Sequence, residues 1–189
     1  MKLKKASAVL ALLSILLMLV HIVYGIFMYL TGYYNPGLLE ALSWPFCAAV
    51  CLHAVFGMLT VFLQPDGTRM DLYPKKNLRT ILQRVSAALI FPLLILHIYT
   101  FGLMSEFAQQ GKKGLILLLL LAEILFFAVI ITHVAVSLTK AFITLGWLTR
   151  EQTQKRIDRV VYVIGAIAFC ASVIVIIRVQ AGMFLSGGG

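Results

Sequence analysis

Four histidines are the residues of this chain whose type and spacing could do chemistry. One lies in each of the first four long apolar stretches: His21, His53, His97 and His133. An imidazole inside a membrane span is costly unless it has a partner, so each of these residues is a candidate functional group. Their distribution, one per apolar stretch, predicts two ligand pairs, each shared by two helices.

The composition indicates which elements must position these histidines. Hydrophobic residues make up 61% of the 189 positions and charged residues only 12%, a balance typical of a lipid-embedded protein. A bilayer core of about 30 Å requires roughly 20 apolar residues per helix. Five segments meet this length, at about residues 7–31, 38–63, 78–104, 114–138 and 160–184. We therefore predict an all-α integral membrane bundle of five transmembrane helices, forming one domain over residues 1–189, with short connections between antiparallel neighbours.

The N-terminal basic and apolar stretch has the general order of a signal peptide. Its apolar run is too long for a signal peptide and lacks a small-residue cleavage pattern. We interpret it as a retained first span.

The Lys and Arg residues predict the orientation, because cytoplasmic loops carry an excess of them. Thirteen of the 16 lie on the side of the N-terminus, and Lys112, Lys113 and Arg178 lie on the other. The thirteen are Lys2, Lys4, Lys5, Arg69, Lys75, Lys76, Arg79, Arg84, Lys140, Arg150, Lys155, Arg156 and Arg159. We predict a multi-pass protein of the inner (cytoplasmic) membrane, with its N-terminus cytoplasmic and its C-terminus outside. The basic face can serve topology and anionic lipid alone or can also dock a soluble partner, and no block of charge is typical of nucleic-acid binding.

The cysteines restrict the redox chemistry. Cys47, Cys51 and Cys170 all lie within predicted spans, without the Cys-x-x-Cys-His pattern of covalent haem attachment or the spacing of an iron–sulfur site. Any haem would be type b, held without thioether bonds. Cys47 and Cys51 are one turn apart, which is more typical of small buried hydrophobic residues than of a metal site.

The residues that follow the histidines strengthen a haem interpretation. The first two histidines begin nearly the same phrase, HIVYG and HAVFG, which places Gly25 and Gly57 four residues on. That position lies one helical turn away on the same face, where a small residue leaves room for a flat macrocycle. Ser137 occupies it after the fourth histidine, whereas the third span departs with Phe101. Small residues also let membrane helices pack closely, which is the competing explanation for any single case.

Depth along the helices predicts how the histidines pair. At about 1.5 Å per residue, His21 and His97 lie roughly 22 and 25 Å from the cytoplasmic end of their spans, but His53 and His133 only about 16 and 10 Å. We expect His21/His97 to bind an outer haem iron and His53/His133 an inner one. Lys140 lies within about 20° of the His133 face and about 10 Å nearer the cytoplasm, suited to a haem propionate or to snorkelling at the interface.

These residues resemble a family, the di-haem cytochrome b membrane-anchor subunits of fumarate reductases and succinate:quinone oxidoreductases. The plan of five spans with histidines in the first four matches over nearly the whole chain. The segment Gln83-Arg84-Val85-Ser86-Ala87 is similar to the His-Arg-x-Ser-Gly sequence of succinate dehydrogenase cytochromes. His133 followed by Gly146-Trp147 resembles the fourth span of the di-haem anchors.

The resemblance implies two haem b groups, paired first with third and second with fourth histidine. It also implies a flavoprotein (FAD) subunit and an iron–sulfur subunit on the cytoplasmic face, and allows a dimer of heterotrimers. Electrons would pass between menaquinol or menaquinone and these partners, and this chain alone would not bind dicarboxylate.

Quinone chemistry also needs a group that transfers protons beside the ring. The resemblance implies an acidic residue near the outer start of span two, where Glu40 lies; an interfacial carboxylate near a helix N-terminus would look the same. Glu123 is the one carboxylate well within a span, but it does not share the face of His133. Gln83 and Ser86 share the face of His97 and could line a cytoplasmic site, or be ordinary polar residues of a helix start. The family's transmembrane proton route uses a glutamate where this chain has Ile131.

Three other readings of the histidines stay open. They could bind transition metal ions, although no carboxylate lies at a suitable offset from any histidine along the sequence. They could also serve a scaffold that pairs imidazoles with hydroxyls, which leaves the repeated histidine–glycine phrase unexplained. The third is the cytochrome b anchor of another quinone-linked complex, of the hydrogenase or formate dehydrogenase type.

Overall fold

The computed structural model describes residues 2–63 and 74–185, with the side chains of residues 74–77 left aside, and every regular element in these ranges is helical. The elements are α1 (Lys2–Thr31), α2 (Pro36–Leu63), α3 (Pro74–Gln109), α4 (Lys113–Leu145), α5 (Glu151–Val175), a π-helical segment (Ile176–Gln180) and α6 (Ala181–Leu185). Five stretches are long and apolar enough to cross a membrane, the fifth formed by α5, the π-helical segment and α6 together. The prediction of an all-α, multi-pass protein is confirmed in this form.

The helix ends differ from the predicted spans because a helix stops where its backbone hydrogen bonds stop, not where the lipid does. The fourth span was predicted to end at residue 138, yet α4 continues to Leu145. Gly146 then adopts a φ of +82° and donates to Ile143 O at 3.0 Å, and the Trp147 amide donates to Phe142 O at 3.0 Å. This is a Schellman cap, completed by the Phe142 and Trp147 rings at 5.9 Å. The glycine–tryptophan pair of the sequence motif thus has a local role in ending α4.

The turn between α1 and α2 is fixed by side chains of both helices. Asn35 caps α2, since its Oδ1 accepts the Leu38 amide at 3.0 Å and Pro36 follows at the first helical position. The buried Tyr24 hydroxyl donates to Asn35 O and accepts from Asn35 N, both at 3.1 Å. These bonds set the register of the α1–α2 hairpin.

The described chain divides into two compact units. The first contains residues 2–63 and 137–157, and α1 packs against α2 within it. The second contains residues 74–136 and 158–185. Its apolar core consists of Met104, Ile116, Leu119, Leu120 and Ile176. The single domain of the sequence analysis stays a prediction.

Large apolar side chains cover much of the outer surface of these helices. Leu30 is 80% exposed and Phe62 78% exposed, for example. Apolar atoms facing outward are stable in hydrocarbon and costly in water, so this surface suits a lipid bilayer. Among the residues used to predict orientation, Arg69 lies outside the described ranges and Lys75 and Lys76 are described by their backbone alone. The orientation stays a prediction.

Candidate functional site

Each histidine of the first unit is held through Nδ1 by a residue of the neighbouring helix. His21 Nδ1 lies 3.3 Å from Ser43 Oγ, and that hydroxyl donates its own hydrogen to Leu39 O at 2.7 Å. Ser43 therefore accepts from the imidazole. His53 Nδ1 lies 3.1 Å from the carbonyl oxygen of Ser7, which can only accept. Both imidazoles thus carry their hydrogen on Nδ1.

His133 in the second unit is also held through Nδ1 by residues of a neighbouring helix. Its Nδ1 lies 3.1 Å from Gln83 O and 3.0 Å from Ser86 Oγ. The buried Ser86 hydroxyl donates to Leu82 O at 2.6 Å, so it too accepts from the imidazole. Gln83 and Ser86 were predicted for a cytoplasmic site on the His97 face, and the contact that the structure gives them is with His133.

His97 has a charged partner. Its Nδ1 lies 2.8 Å from Glu123 Oε2, and the glutamate side chain is only 2% exposed. No carboxylate lies at a suitable offset from a histidine along the sequence, yet Glu123 contacts His97 across two helices. Offsets along one helix cannot reveal a neighbour on another, and here α4 presents Glu123 to α3. When ionised, this carboxylate only accepts, and His97 then carries its hydrogen on Nδ1 as well.

The hydrogen-bond network therefore assigns the same tautomer to all four histidines, with the lone pair on Nε2. Histidines that bind metal commonly donate their other ring N–H to a carboxylate, a carbonyl or a similar acceptor, which fixes ring and tautomer. The donor set would fit haem iron held by one nitrogen from each of two histidines. In the part of the chain that the structure describes, no group of three or more His, Cys, Asp or Glu side chains could hold a metal ion.

The two units repeat one arrangement of partners. In the first unit, His53 donates to Ser7 O, and Ser7 lies 14 residues before His21. In the second unit, His133 donates to Gln83 O, and Gln83 lies 14 residues before His97. The histidine of the first helix meets a side chain located ten residues before the histidine of the second helix. That side chain is Ser43 in the first unit and Glu123 in the second.

Aromatic contacts follow the same repeat. Phe46 stacks on His21 with ring centroids 5.8 Å apart and an interplanar angle of 27°. Phe126 stacks on His97 at 4.9 Å and 29°. Each phenylalanine lies seven residues before the second histidine of its unit. Residues of α4 thus correspond to residues of α2 at an offset of 80.

These contacts also fix the levels of the histidines within each unit. Since His21 lies beside Ser43 and His53 beside Ser7, the two imidazoles of the first unit are separated by about 15–20 Å along the helices, at 1.5 Å per residue. Depth counted along the sequence gives them a separation of only about 6 Å, and the contacts with Ser43 and Ser7 correct that value. In the second unit the same reasoning gives roughly 15 Å between His97 and His133, as the sequence count had it.

The roles of the small residues predicted to lie beside a macrocycle stay predictions, and the structure describes the space around them. Apart from the adjoining residues and the nearby backbone of the same helix, no described atom lies within 4 Å of a Cβ built at Gly25 or Gly57. Ser137 Oγ is buried and has no hydrogen-bond partner within the described chain. A flat group beside these helices would find room at both glycines and a hydroxyl at Ser137.

Three other predicted site residues have no structural assignment to a cofactor. Glu40 is exposed early in α2, and Arg84 and Lys140 are half-buried on α3 and α4. The pattern of each single segment does not reveal which residues contact the histidines: Ser7, Ser43, Phe46, Phe126, and Glu123 as the partner of His97. The offset of 80 between α2 and α4 was the signal that could have revealed most of them.

The chain was compared with protein families, curated proteins and solved structures. No family model, curated protein or solved structure matches the chain. The resemblance to di-haem anchor subunits rests on the residues of the chain alone.

Proposed function

We propose that this chain is the membrane anchor and di-haem cytochrome b subunit of a quinol:fumarate reductase complex of the succinate dehydrogenase type. The observation that carries the proposal is the common state of the four histidines, each with Nδ1–H donated to a fixed acceptor and the lone pair on Nε2. An axial ligand of haem iron needs this state.

We assign His21 and His97 to one haem iron, and His53 and His133 to the other. The repeat supports this pairing, since His21 corresponds to His97 and His53 to His133 in their contacts. Gly25, Gly57 and Ser137 would border the macrocycles, and Lys140 and Arg84 would meet propionates from the cytoplasmic side.

Bound haem would supply one-electron transfer, and the protein supplies orientation and charge around it. The acceptors on Nδ1 hold each ring in one tautomer and one direction. The Phe46 and Phe126 rings restrict His21 and His97 further by stacking. This chain would thus connect quinone chemistry in the membrane with an iron–sulfur subunit and a flavoprotein (FAD) subunit on the cytoplasmic face.

Glu40 is our candidate for proton transfer at the quinone. It lies three residues before Ser43 on α2, about one turn from the residue that holds His21. An exposed carboxylate at the level of the outer haem could accept the proton that menaquinol releases when its electrons leave.

The test uses the full chain purified in mild detergent with the proteins that accompany it. The visible spectrum should show the sharp reduced bands of low-spin haem b, with about two haems per chain by pyridine haemochrome. Partners containing flavin and iron–sulfur clusters should co-purify, and the complex should reduce fumarate with a menaquinol analogue. A colourless protein refutes the haem assignment. A red protein accompanied by hydrogenase or formate dehydrogenase subunits refutes the assignment to fumarate reductase but leaves the haem assignment standing.

A further inference from the structure

The Glu123 carboxylate differs from the acceptors described above for the Nδ1 atoms of the other three histidines. The acceptors at His21, His53 and His133 are hydroxyl and carbonyl oxygens, which are neutral. At His97 the acceptor is a carboxylate oxygen, of a side chain that is 2% exposed, and it lies 2.8 Å from Nδ1. An ionisable group buried in a membrane span at such a cost indicates a function.

The repeat shows that orientation of the imidazole does not need this charge. Ser43 occupies in the first unit the place that Glu123 occupies in the second, and its hydroxyl holds His21. A neutral acceptor is therefore sufficient to fix the tautomer. The carboxylate adds a negative charge that the serine lacks.

We propose that Glu123 is a positioning residue that acts through His97 to lower the midpoint potential of the haem bound by that histidine. The inference rests on the proposed function. A carboxylate that accepts the Nδ1 hydrogen raises the basicity of the imidazole. It also places a negative charge near the iron in surroundings of low dielectric, and both effects favour the oxidised, more positive iron.

The consequence would be a difference in potential between the two haems. Lowering the potential of the haem at His97 makes electron transfer from it to the haem at His53 and His133 more favourable by the same amount. With the predicted orientation, this direction leads from the outer side of the membrane toward the cytoplasm.

The experiment is a potentiometric titration of the purified full chain at one fixed pH, followed in the haem absorption bands and by low-temperature EPR. Glu123→Gln keeps an oxygen acceptor and the side-chain length but removes the charge. We expect it to change the reduced-to-oxidised ratio of one haem at least tenfold, which is an upward shift of 59 mV for a one-electron couple. The EPR signal of that haem should move as well. The other haem should keep its potential.

Two variants separate charge from structure. Glu123→Asp retains the charge and should keep the potential close to that of the native protein. Glu106→Gln removes the carboxylate of an exposed glutamate on the same helix as His97 and should not change the potential of the haem at His97. If Glu123→Gln fails to retain the haem, the pair Glu123→Asp and Glu123→Asn provides the same comparison.

The outcomes are distinct. A ratio that changes less than twofold in Glu123→Gln, with both haems retained, overturns the inference and leaves the proposed function standing. An equal shift of both haems also overturns it. A native protein without haem refutes the proposed function instead.

Discussion

The Arg79 guanidinium binds the Asp158 carboxylate through two hydrogen bonds of 2.9 Å each. Its Nε donates to Val136 O at 2.8 Å, so one side chain joins α3, α4 and α5 within the second unit. The side chains are only 19% and 15% exposed. Arg79 was counted among the charges that orient the protein, and the structure adds a packing role that its position in the sequence does not reveal.

Loss of this ion pair should destabilise the protein. Asp158→Asn leaves the Arg79 charge in a largely buried position without its counter-charge. We expect this change to lower the free energy of unfolding by about 3 kcal/mol. Thermal unfolding in detergent measures it. Glu151→Gln is the matched control, because it removes an ion pair whose side chains are 77% and 73% exposed and should cost less than about 0.5 kcal/mol. Equal melting temperatures for the two variants would contradict the assignment.

Haem loss should follow the proposed pairs. His53→Ala and His133→Ala should each remove one haem, and the same one, while the spectrum of the other persists. His21→Ala should remove the second haem, as should His97→Ala combined with Glu123→Gln, which avoids leaving the buried carboxylate unpaired. Difference spectra and haem content measure the result. Ser172→Ala, at an exposed helical serine, should keep both haems. Loss of the same haem from the His53 and His97 variants would refute the pairing.

Larger residues at the two glycines should exclude haem without disturbing the helices. Gly25→Leu and Gly57→Leu add atoms where, beyond the adjoining residues and the local helix backbone, no described atom lies within 4 Å of the Cβ. We expect haem content to fall by at least half while helical circular dichroism stays unchanged. Gly182→Leu serves as the control, since its surroundings are equally open and it lies in α6, away from the histidines in sequence. Full haem content in all three variants would remove Gly25 and Gly57 from the site.

Glu40→Gln should impair quinol oxidation while haem content remains normal. The amide cannot accept the released proton, so we expect turnover with a menaquinol analogue to fall 10²-fold or more, the range typical of a lost general base. Steady-state assays of the whole complex measure it. Glu106→Gln, an exposed glutamate that accepts from Gln110, is the control and should retain turnover. Native turnover in Glu40→Gln would exclude Glu40 as the proton acceptor.

The sequence by itself determined the class of this protein and its candidate ligands. Apolar segments of sufficient length predict membrane helices, because the thickness of the bilayer and the rise of a helix are fixed quantities. A histidine inside such a segment is recognised as a candidate ligand because the residues around it in the sequence are apolar. The five helices agree with that reasoning, and His21, His53, His97 and His133 all lie within them.

Only the tertiary structure decided what each histidine contacts. The acceptor of an imidazole on one helix belongs to another helix, so it depends on register and rotation, which are set by packing and by caps such as Asn35. For this reason the offset between Glu123 and His133 shows only that these two residues of α4 face different directions. It does not reveal that Glu123 contacts His97 on α3. Arg79 likewise meets Asp158 from 79 positions away. Local pattern fixes the helices, whereas the hydrogen bonds that select a tautomer are decided between them.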